Sequence, residues 1–447
     1  MATGSMVLQV MFSNHPARQI QAATELISEL AQHLDIAASV RLWDGSLHSL
    51  GRNANGANSV TIRIGGPGII ASLLRWPTLD RLIRHYAYGR IVLESGTLLD
   101  LGEQLGDSNT RKRLKRVSKL KLLKSLLPFL LARAETPGAT RQFSGDETGT
   151  VRKTAENRDF VQFHYDIGND FYRLFLDPEM QYSCAYFSDW AASLESAQRD
   201  KMDIICRKLR LREGERFLDI GCGWGGLICH AAEHYGVHAH GVTLSDEQAA
   251  GTRERIAARG LESRVTVEIK DYAALTGEYD KIASVGMYEH IGIANIPCYL
   301  GTVRRLLTPD GLFLNHAISR RSKKKRTRFA KRPEQRALDK YIFPGGELDD
   351  IGHTLAAMEQ AGFEVHDVEA WRRHYAQTTR IWCERLTARR EEAVALVGEE
   401  KYRIWVAYLA GCSLAFQRGS ARIFQTLVSK SAKGNPPLPP TRADLYG

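Results

Sequence analysis

The segment Arg216-Phe-Leu-Asp-Ile-Gly-Cys-Gly-Trp-Gly-Gly-Leu227 sets Gly221, Gly223 and Gly225 directly behind an apolar run. An apolar run of that length reads as a buried strand. Glycines after it permit a tight turn and a close approach of backbone to a ligand. Asp219 falls at the strand end, where its carboxylate could hold a cationic or amide-like group. A helix is expected to start within Leu227 to His234. The spacing GxGxGG departs from the dinucleotide pattern GxGxxG. The next strand, His238 to Val242, ends in Thr243-Leu-Ser245 and lacks the acid that would hold a dinucleotide ribose. Spacing therefore favours S-adenosylmethionine over NAD or FAD, with an unliganded glycine turn as the plain alternative.

Further strands are expected at Val265 to Ile269, ending in Asp271-Tyr272, and at Tyr279 to Val285, followed by Gly286-Met-Tyr-Glu-His290. Val303 to Leu307 precedes a turn at Pro309-Asp-Gly311 and a strand from Leu312 to Ile318. Ligands of such sheets sit at the carboxyl ends of the strands. One rim would then gather Asp219, Thr243, Tyr272, Glu289 and His316. A methyl sulfonium is a strong electrophile, so alignment with the acceptor is the main demand. A carbon acceptor leaves a cation that must lose a proton. Glu289, His290 and His316 could handle that proton. Cys184 could donate a weak hydrogen bond or act as a nucleophile. Each has a plainer reading: Glu289 as a solvated loop acid, His316 as a satisfied structural histidine, Cys184 as a small buried residue. Tyr165, Tyr182 and Tyr375 read first as packing groups.

These side chains need a scaffold, and 447 residues suffice for two domains. A net charge of +10 suits an anionic partner: nucleic acid, an acidic membrane surface or an acidic carrier protein. The seven cysteines all follow residue 183, are odd in number and lack CxxC spacing, so neither a disulfide framework nor a metal site is expected. Met1 to Pro16 lacks a signal-peptide pattern. No apolar stretch reaches the roughly 18 residues of a membrane span. A cytoplasmic protein is expected, with membrane-surface contact left open.

Residues 1–108 read as a small α+β unit, with a helix over Ala17 to Leu34 and strands at Ser59 to Ile64 and Arg90 to Leu93. In that helix Ile20, Leu26, Ile27 and Leu30 share a stripe. Residues 109–156 form a basic join, with eight Lys or Arg and no acid between Arg111 and Lys124. Leu114, Val117, Leu120, Leu123, Leu127 and Leu130 approximate one apolar stripe there. Such a helix could lie in a membrane interface, or pack on a domain with its basic face in water. Glu135 to Lys153 reads as a mobile loop. Residues 157–431 alternate strands with helices, implying a mostly parallel sheet covered on both faces. Within them Asp246 to Arg259 reads as a helix capped by Ser245, with Gln248 three residues on. Residues 432–447 read as a flexible tail.

The chain resembles the cyclopropane-fatty-acyl-phospholipid synthase family, which includes the mycolic acid cyclopropane synthases. The resemblance rests on His164-Tyr-Asp-Ile-Gly-Asn-Asp-Phe-Tyr172, Met180-Gln-Tyr-Ser-Cys-Ala-Tyr186 and Leu218-Asp-Ile-Gly-Cys-Gly-Trp-Gly-Gly-Leu227. It continues through Gly241-Val-Thr-Leu-Ser-Asp-Glu-Gln248, Ser284-Val-Gly-Met-Tyr-Glu-His290, Lys340-Tyr-Ile-Phe-Pro344, His374-Tyr375 and Phe416-Gln-Arg418. Several motifs in order, over about residues 156–430, are far more specific than one glycine turn. The resemblance implies an α/β fold: a Rossmann-like class I S-adenosylmethionine-dependent methyltransferase domain with a smaller amino-terminal α+β domain.

The implied chemistry is attack of a cis double bond on the methyl group of S-adenosylmethionine, with a bound bicarbonate removing a proton as a cyclopropane ring closes. Cys184, Glu289, His316, the Ile318 backbone and Tyr375 match the family's residues around that anion, and Tyr165 its active-site-closing segment. Tyr182 and Ser183 match residues near the methionine part, and Gly221 and Gly223 the glycine turn. Thr243 and Gln248 match contacts to the ribose region, and Tyr272 the adenine side. The implied substrate is an unsaturated phospholipid at an anionic membrane surface, met by a cytoplasmic protein peripherally associated with the inner face. No nucleic acid and no metal are implied; a homodimer is admitted.

The amino-terminal region departs from the family. His85-Tyr-Ala-Tyr-Gly89 and Glu94-Ser-Gly96 are its clearest echoes, and the usual acidic-aromatic pattern is altered. Arg320 to Arg332 carries nine Lys or Arg residues, which could guide a phospholipid headgroup or form a solvated insertion. The rival chemistry is a methyl-branched or methylene-bearing acyl product. A rival of another class is a noncatalytic lipid- or nucleic-acid-binding module, but the basic runs carry none of the interleaved aromatics that single-strand nucleic-acid binding would favour.

Overall fold

A computed structural model describes residues 16–51, 56, 59–106, 112–113, 119–130, 132–138, 167–322, 332–430 and 438–445. The chain divides into two compact units. One comprises residues 1–142, 332–337 and 397–414; the other comprises 143–331, 338–396 and 415–447. The second unit is therefore interrupted twice, a division that differs from the three consecutive pieces read from the sequence.

In the first unit, helix α1 (Pro16–Leu34) packs beside a four-stranded sheet of β1 (Ala38–Arg41), β2 (Leu47–Ser49), β3 (Val60–Ile64) and β4 (Ile91–Ser95), in the order β2-β1-β3-β4. β1 and β3 run parallel, and β2 and β4 flank them antiparallel. Ala22, Ala23 and Ile27 of α1 meet Val40 and Val60 in the core. Helix α2 (Lys119–Leu130) adds Phe129, which is fully buried. Two residues of the apolar stripe expected from sequence turn away from this core. Leu127 and Leu130 are 42% and 43% exposed. The large Phe129 ring takes the inward position, with Ser125 one turn before it, and rotates the two leucines outward. Arg111 and Leu114 to Arg116 lie outside the described residues. Of the expected loop, Glu135 to Gly138 is pinned: Arg84 donates to the Pro137 and Gly138 carbonyls, and the Glu135 amide to the Gly68 carbonyl at 2.9 Å. The rest of that loop lies outside the described residues.

The second unit is built on a seven-stranded sheet. Its strands are β5 (Arg216–Ile220), β6 (His238–Thr243), β7 (Val265–Ile269), β8 (Tyr279–Val285), β9 (Leu307–Arg320), β10 (Phe363–Ala370) and β11 (Ala421–Lys430). Their order is β10-β11-β9-β8-β5-β6-β7. β11 is antiparallel to both neighbours, and the other pairings are parallel. Helices α3 (Leu194–Leu209) and α4 (Gly226–Tyr235) cover one face, where Ile205, Leu209, Ile228 and Ala232 meet Phe217 and Leu314. Tyr299, Leu300, Val303 and Met358 cover the other face against Leu218 and Ile282. This is a Rossmann-like α/β core with a smaller α+β unit, as the sequence led us to expect. β9 begins at Leu307, so the turn expected at Pro309–Gly311 falls inside it. The ladder absorbs it as an irregularity, with Tyr279 opposite Leu307 and Lys281 already opposite Leu312.

The tail also differs from expectation over its described part. Leu445 is 1% exposed, Leu438 packs on the core, and Arg442 pairs with the buried Asp367. An apolar anchor and an ion pair outweigh the loop-like composition of this segment.

Candidate active site

Starting at β5, the chain builds outward to β6 and β7, then returns across to β8. Where winding reverses, the strand ends part and leave a crevice. The turn after β5 is drawn in tightly. The amides of Gly221 and Cys222 both donate to the Val242 carbonyl, at 2.9 and 3.0 Å. Gly221 has φ +83° and Gly225 φ +77°. Helix α5 (Asp246–Ala258) closes the next side. Its cap is the one read from sequence: Ser245 Oγ accepts from the Gln248 amide at 3.2 Å. Thr243 Oγ1 donates to Gln248 Oε1 at 2.7 Å, joining the end of β6 to α5.

All eight residues expected to hold a methyl donor line this cleft: Tyr182, Ser183, Asp219, Gly221, Gly223, Thr243, Gln248 and Tyr272. Met287 and His290 line it too. Asp219 is 3% exposed, and its Oδ1 is buried without a hydrogen-bond partner. That atom fits a ligand donor such as an ammonium. The Tyr182 ring lies 5.3 Å from those of Tyr172 and Trp382, two buried aromatics that back this cleft-lining side chain.

The segment carrying Tyr182 has no regular structure, and α3 holds it. Gln198 Nε2 donates to the Gln181 and Ser183 carbonyls at 3.2 and 3.0 Å. Lys201 Nζ donates to Ser183 Oγ at 2.9 Å and to Gln181 Oε1. Sequence reasoning missed both residues. The available signal was a lysine and a glutamine on the stripe of Leu194, Ala197 and Ile205.

Beside the cleft lies a second, buried cluster. Glu289 follows β8 in a single helical turn, Tyr288–Ile291. Its Oε1 accepts from the Ile318 amide at 2.5 Å, and its Oε2 is buried without a partner. The Ile318 amide is thus engaged by Glu289, at the position whose backbone the resemblance sets against the anion. The carboxylate is the nearest acceptor and its own burial demands a donor. His316 lies two residues from Ile318 on β9 and so shares its face. Its Nδ1 is 3.0 Å from Gln425 Nε2, and its Nε2 is buried without a partner.

Trp371 joins the remaining residues. Its ring meets the His316 ring edge-on at 5.0 Å, and its carbonyl lies 3.9 Å from Cys184 Sγ. The Tyr375 amide donates to the same carbonyl at 3.1 Å, and the Tyr375 ring packs 4.5 Å from Phe416. Ile318 and His316 thus lie on β9, Glu289 reaches the Ile318 amide, and Cys184 and Tyr375 lie against Trp371, whose ring meets His316. Tyr165 lies outside the described residues, as do Lys323 to Lys331 of the second basic run.

Burial sets the protonation of this cluster. It pushes the Glu289 carboxyl up to about 7, against the lowering effect of the Ile318 amide. It pushes Asp219 to about 7, opposed by Lys201, and draws Lys201 down to about 8. The Cys184 thiol is raised well above its ordinary value by burial, so it is a neutral thiol. Of the two roles open to it, hydrogen bonding survives and nucleophilic attack does not. Burial, with Lys201, Lys208 and His374 adding repulsion, keeps His316 neutral.

A stability effect follows from Glu289. The folded carboxyl binds its proton more tightly than the unfolded one. From pH about 4.5 to about 7 the folded state therefore carries more of that proton, and stability falls as pH rises. Glu289→Gln removes this contribution. The melting temperature of the variant minus that of the wild type, in carbonate-free buffer, should climb across that window and level off above it. A flat difference would contradict the buried, proton-binding carboxyl.

This geometry belongs to a chain with clear relatives among known proteins. The family model described as mycolic acid cyclopropane synthetase matches residues 152–426. A probable fatty acid methyltransferase of Pseudomonas putida is 37% identical over 421 residues, 93% of this chain and 98% of that protein. The cyclopropane-fatty-acyl-phospholipid synthase of Escherichia coli K12 is 40% identical over 270 residues, 60% of this chain and 67% of that protein. Among solved structures, a cyclopropane synthase of Mycobacterium tuberculosis superposes with a TM-score of 0.59 at 32% identity, over 61% of this chain and 98% of the other.

Proposed function

Because the chain belongs to the mycolic acid cyclopropane synthetase family of S-adenosylmethionine-dependent methyltransferases, we propose that it adds a methylene unit to the cis double bond of an unsaturated phospholipid acyl chain, closing a cyclopropane ring. The observation that carries this reading is the pair of unpartnered buried atoms, Glu289 Oε2 and His316 Nε2, beside the cleft. An oxygen or nitrogen acceptor would need one base at the methyl group. A carbon acceptor needs a place for a proton after transfer, and these two atoms suit a small anion there.

S-adenosylmethionine supplies an electrophilic methyl group. In this reading Asp219 pairs with its ammonium, Tyr182 and Ser183 border the methionine part, Gly221 and Gly223 admit it, and Thr243, Gln248 and Tyr272 border the nucleoside. The aromatic cluster around Tyr182 favours positive charge, both on sulfur and on the acyl chain after transfer. Bicarbonate would supply a small base that accepts the proton lost on ring closure. Glu289, protonated, and His316 would each donate a hydrogen bond to it, with the Ile318 amide orienting Glu289. Cys184 and Tyr375 would complete the enclosure. The fit is chemical: two buried groups able to donate, set where water is excluded, match an anion with several acceptor oxygens.

The second reading is a methyl-branched or methylene product, favoured by the Pseudomonas putida relative's description as a probable fatty acid methyltransferase. The same cation would lose a different proton to leave a methylene or shifted double bond, and a saturated methyl branch would need a separate later reduction. Both readings need label transfer from the methyl donor to an unsaturated acyl chain. With labelled S-adenosylmethionine and phospholipid vesicles, label should enter unsaturated chains and not saturated ones. Label in neither would overturn the lipid assignment. No helix among the described residues is long and apolar enough to cross a membrane. The substrate would be met at an anionic surface through basic segments, and binding to anionic vesicles should exceed binding to neutral ones and weaken with salt. Equal binding to both at every salt concentration would overturn that docking.

A further inference from the structure

The buried side of His316 is as constrained as its open side. β9 and β11 place Gln425 directly opposite His316. The Gln425 amide nitrogen lies 3.0 Å from His316 Nδ1. On its other side, Lys208 Nζ lies 2.9 Å from Gln425 Oε1. All three side chains are essentially sealed, with Lys208, Gln425 and His316 at 0%, 1% and 1% exposure. Lys208 is anchored in turn by Glu369, to which it donates, and by Asp367 at 3.5 Å.

The chemistry of the row fixes its direction. An ammonium has donors only, so it must face the amide oxygen of Gln425. The amide nitrogen then faces His316 and donates. Nδ1 must accept, and a neutral imidazole that accepts at Nδ1 carries its proton on Nε2. Nε2 is the atom left buried without a partner.

We propose that Gln425, braced by Lys208, is a positioning residue that fixes His316 in the Nε2–H form, so that the histidine presents a hydrogen-bond donor to the anion. What Nε2–H meets rests on the anion cluster proposed above; the tautomer rests only on the row Lys208, Gln425, His316. Neither Gln425 nor Lys208 touches the reacting atoms. Their contribution is to exclude the other tautomer, whose bare Nε2 would turn a lone pair toward an anion.

The test is nitrogen NMR of the full chain with 15N-labelled histidine, His316 being assigned by the signals lost in His316→Asn. The wild type should show a protonated Nε2 and an unprotonated, hydrogen-bonded Nδ1. Gln425→Glu keeps the shape but replaces the donor with a carboxylate, which accepts. It should put a proton on Nδ1 and lower kcat by about 10–100-fold, the range for lost outer-shell partners, with KM for S-adenosylmethionine unchanged. Lys208→Met removes the brace and should give a mixture of tautomers. It covers the case of a Gln425→Glu protein that fails to fold. A wild type protonated at Nδ1, or ring signals unchanged in both variants, would overturn the assignment. Added bicarbonate should shift the wild-type Nε2–H signal. No shift would overturn the anion cluster, while the tautomer would still be judged from the ring signals.

Discussion

Glu289→Ala is expected to lower kcat by about 10²–10⁴-fold, the usual weight of a positioned proton-handling group, without weakening methyl-donor binding. Glu289 is 6% exposed and outside the lining of the cofactor cleft. Its loss should therefore act on the step after methyl transfer. Two consequences separate this from simple damage. First, Glu289→Gln retains an acceptor for the Ile318 amide, which the wild-type carboxylate meets at 2.5 Å, and gains an N–H donor where the protonated acid has an O–H. It should keep more activity than Glu289→Ala, and its rate should lose the dependence on the group titrating near 7. Second, calorimetry with S-adenosylmethionine should give the same affinity for wild type and both variants. Equal activity of the alanine variant, or a parallel loss of donor affinity, would remove Glu289 from the chemistry.

Gly225→Ala should weaken donor binding by about 10- to 100-fold, since each 1.4 kcal/mol is about tenfold. Two costs add. The backbone there has φ +77°, where a side chain costs roughly 1–2 kcal/mol. A Cβ would also stand 2.5 Å from Thr252 Cγ2. Thr252 cannot easily yield, being fully buried and bonded to the Gly223 and Gln248 carbonyls at 3.2 and 2.8 Å. The clash would be relieved by moving α5, and Gln248 with it. Gly214→Ala is the control. It has φ +81°, no atom within 4 Å of an added Cβ and no place in the cleft lining, so it should cost backbone strain and leave donor binding unchanged. Titration of both variants with S-adenosylmethionine checks the ordering; equal losses would contradict it.

These two sites differ in how much of them could be read from the chain. The donor cleft is local: Gly221 to Gly225 follow their strand at once, and Ser245 caps the helix it precedes. A turn and a cap are written in neighbouring residues, so that part of the cleft was legible, whereas Tyr182 and Ser183 entered through the family resemblance alone. The buried cluster is assembled from β8, β9 and the Trp371 segment; the strand-end rule brought Glu289 and His316 to one rim, and only the family resemblance joined Tyr375 to them. Its supports were not read at all. Gln425 reaches His316 across 109 residues, and Lys208 reaches Gln425 across 217. Strand pairing decides such contacts, and register between distant strands leaves no mark on either strand alone. Composition misled at the tail, which docks through Leu445 despite its prolines.

Ring closure on an acyl chain is the claim most exposed to a single measurement, the proton NMR spectrum of the product. Purified protein, S-adenosylmethionine and vesicles of a cis-unsaturated phospholipid should yield chains with cyclopropane methylene protons, upfield of every other acyl signal, and a matching loss of olefinic protons. A methyl branch or an exocyclic methylene without ring protons would contradict cyclopropanation and leave the second reading in its place.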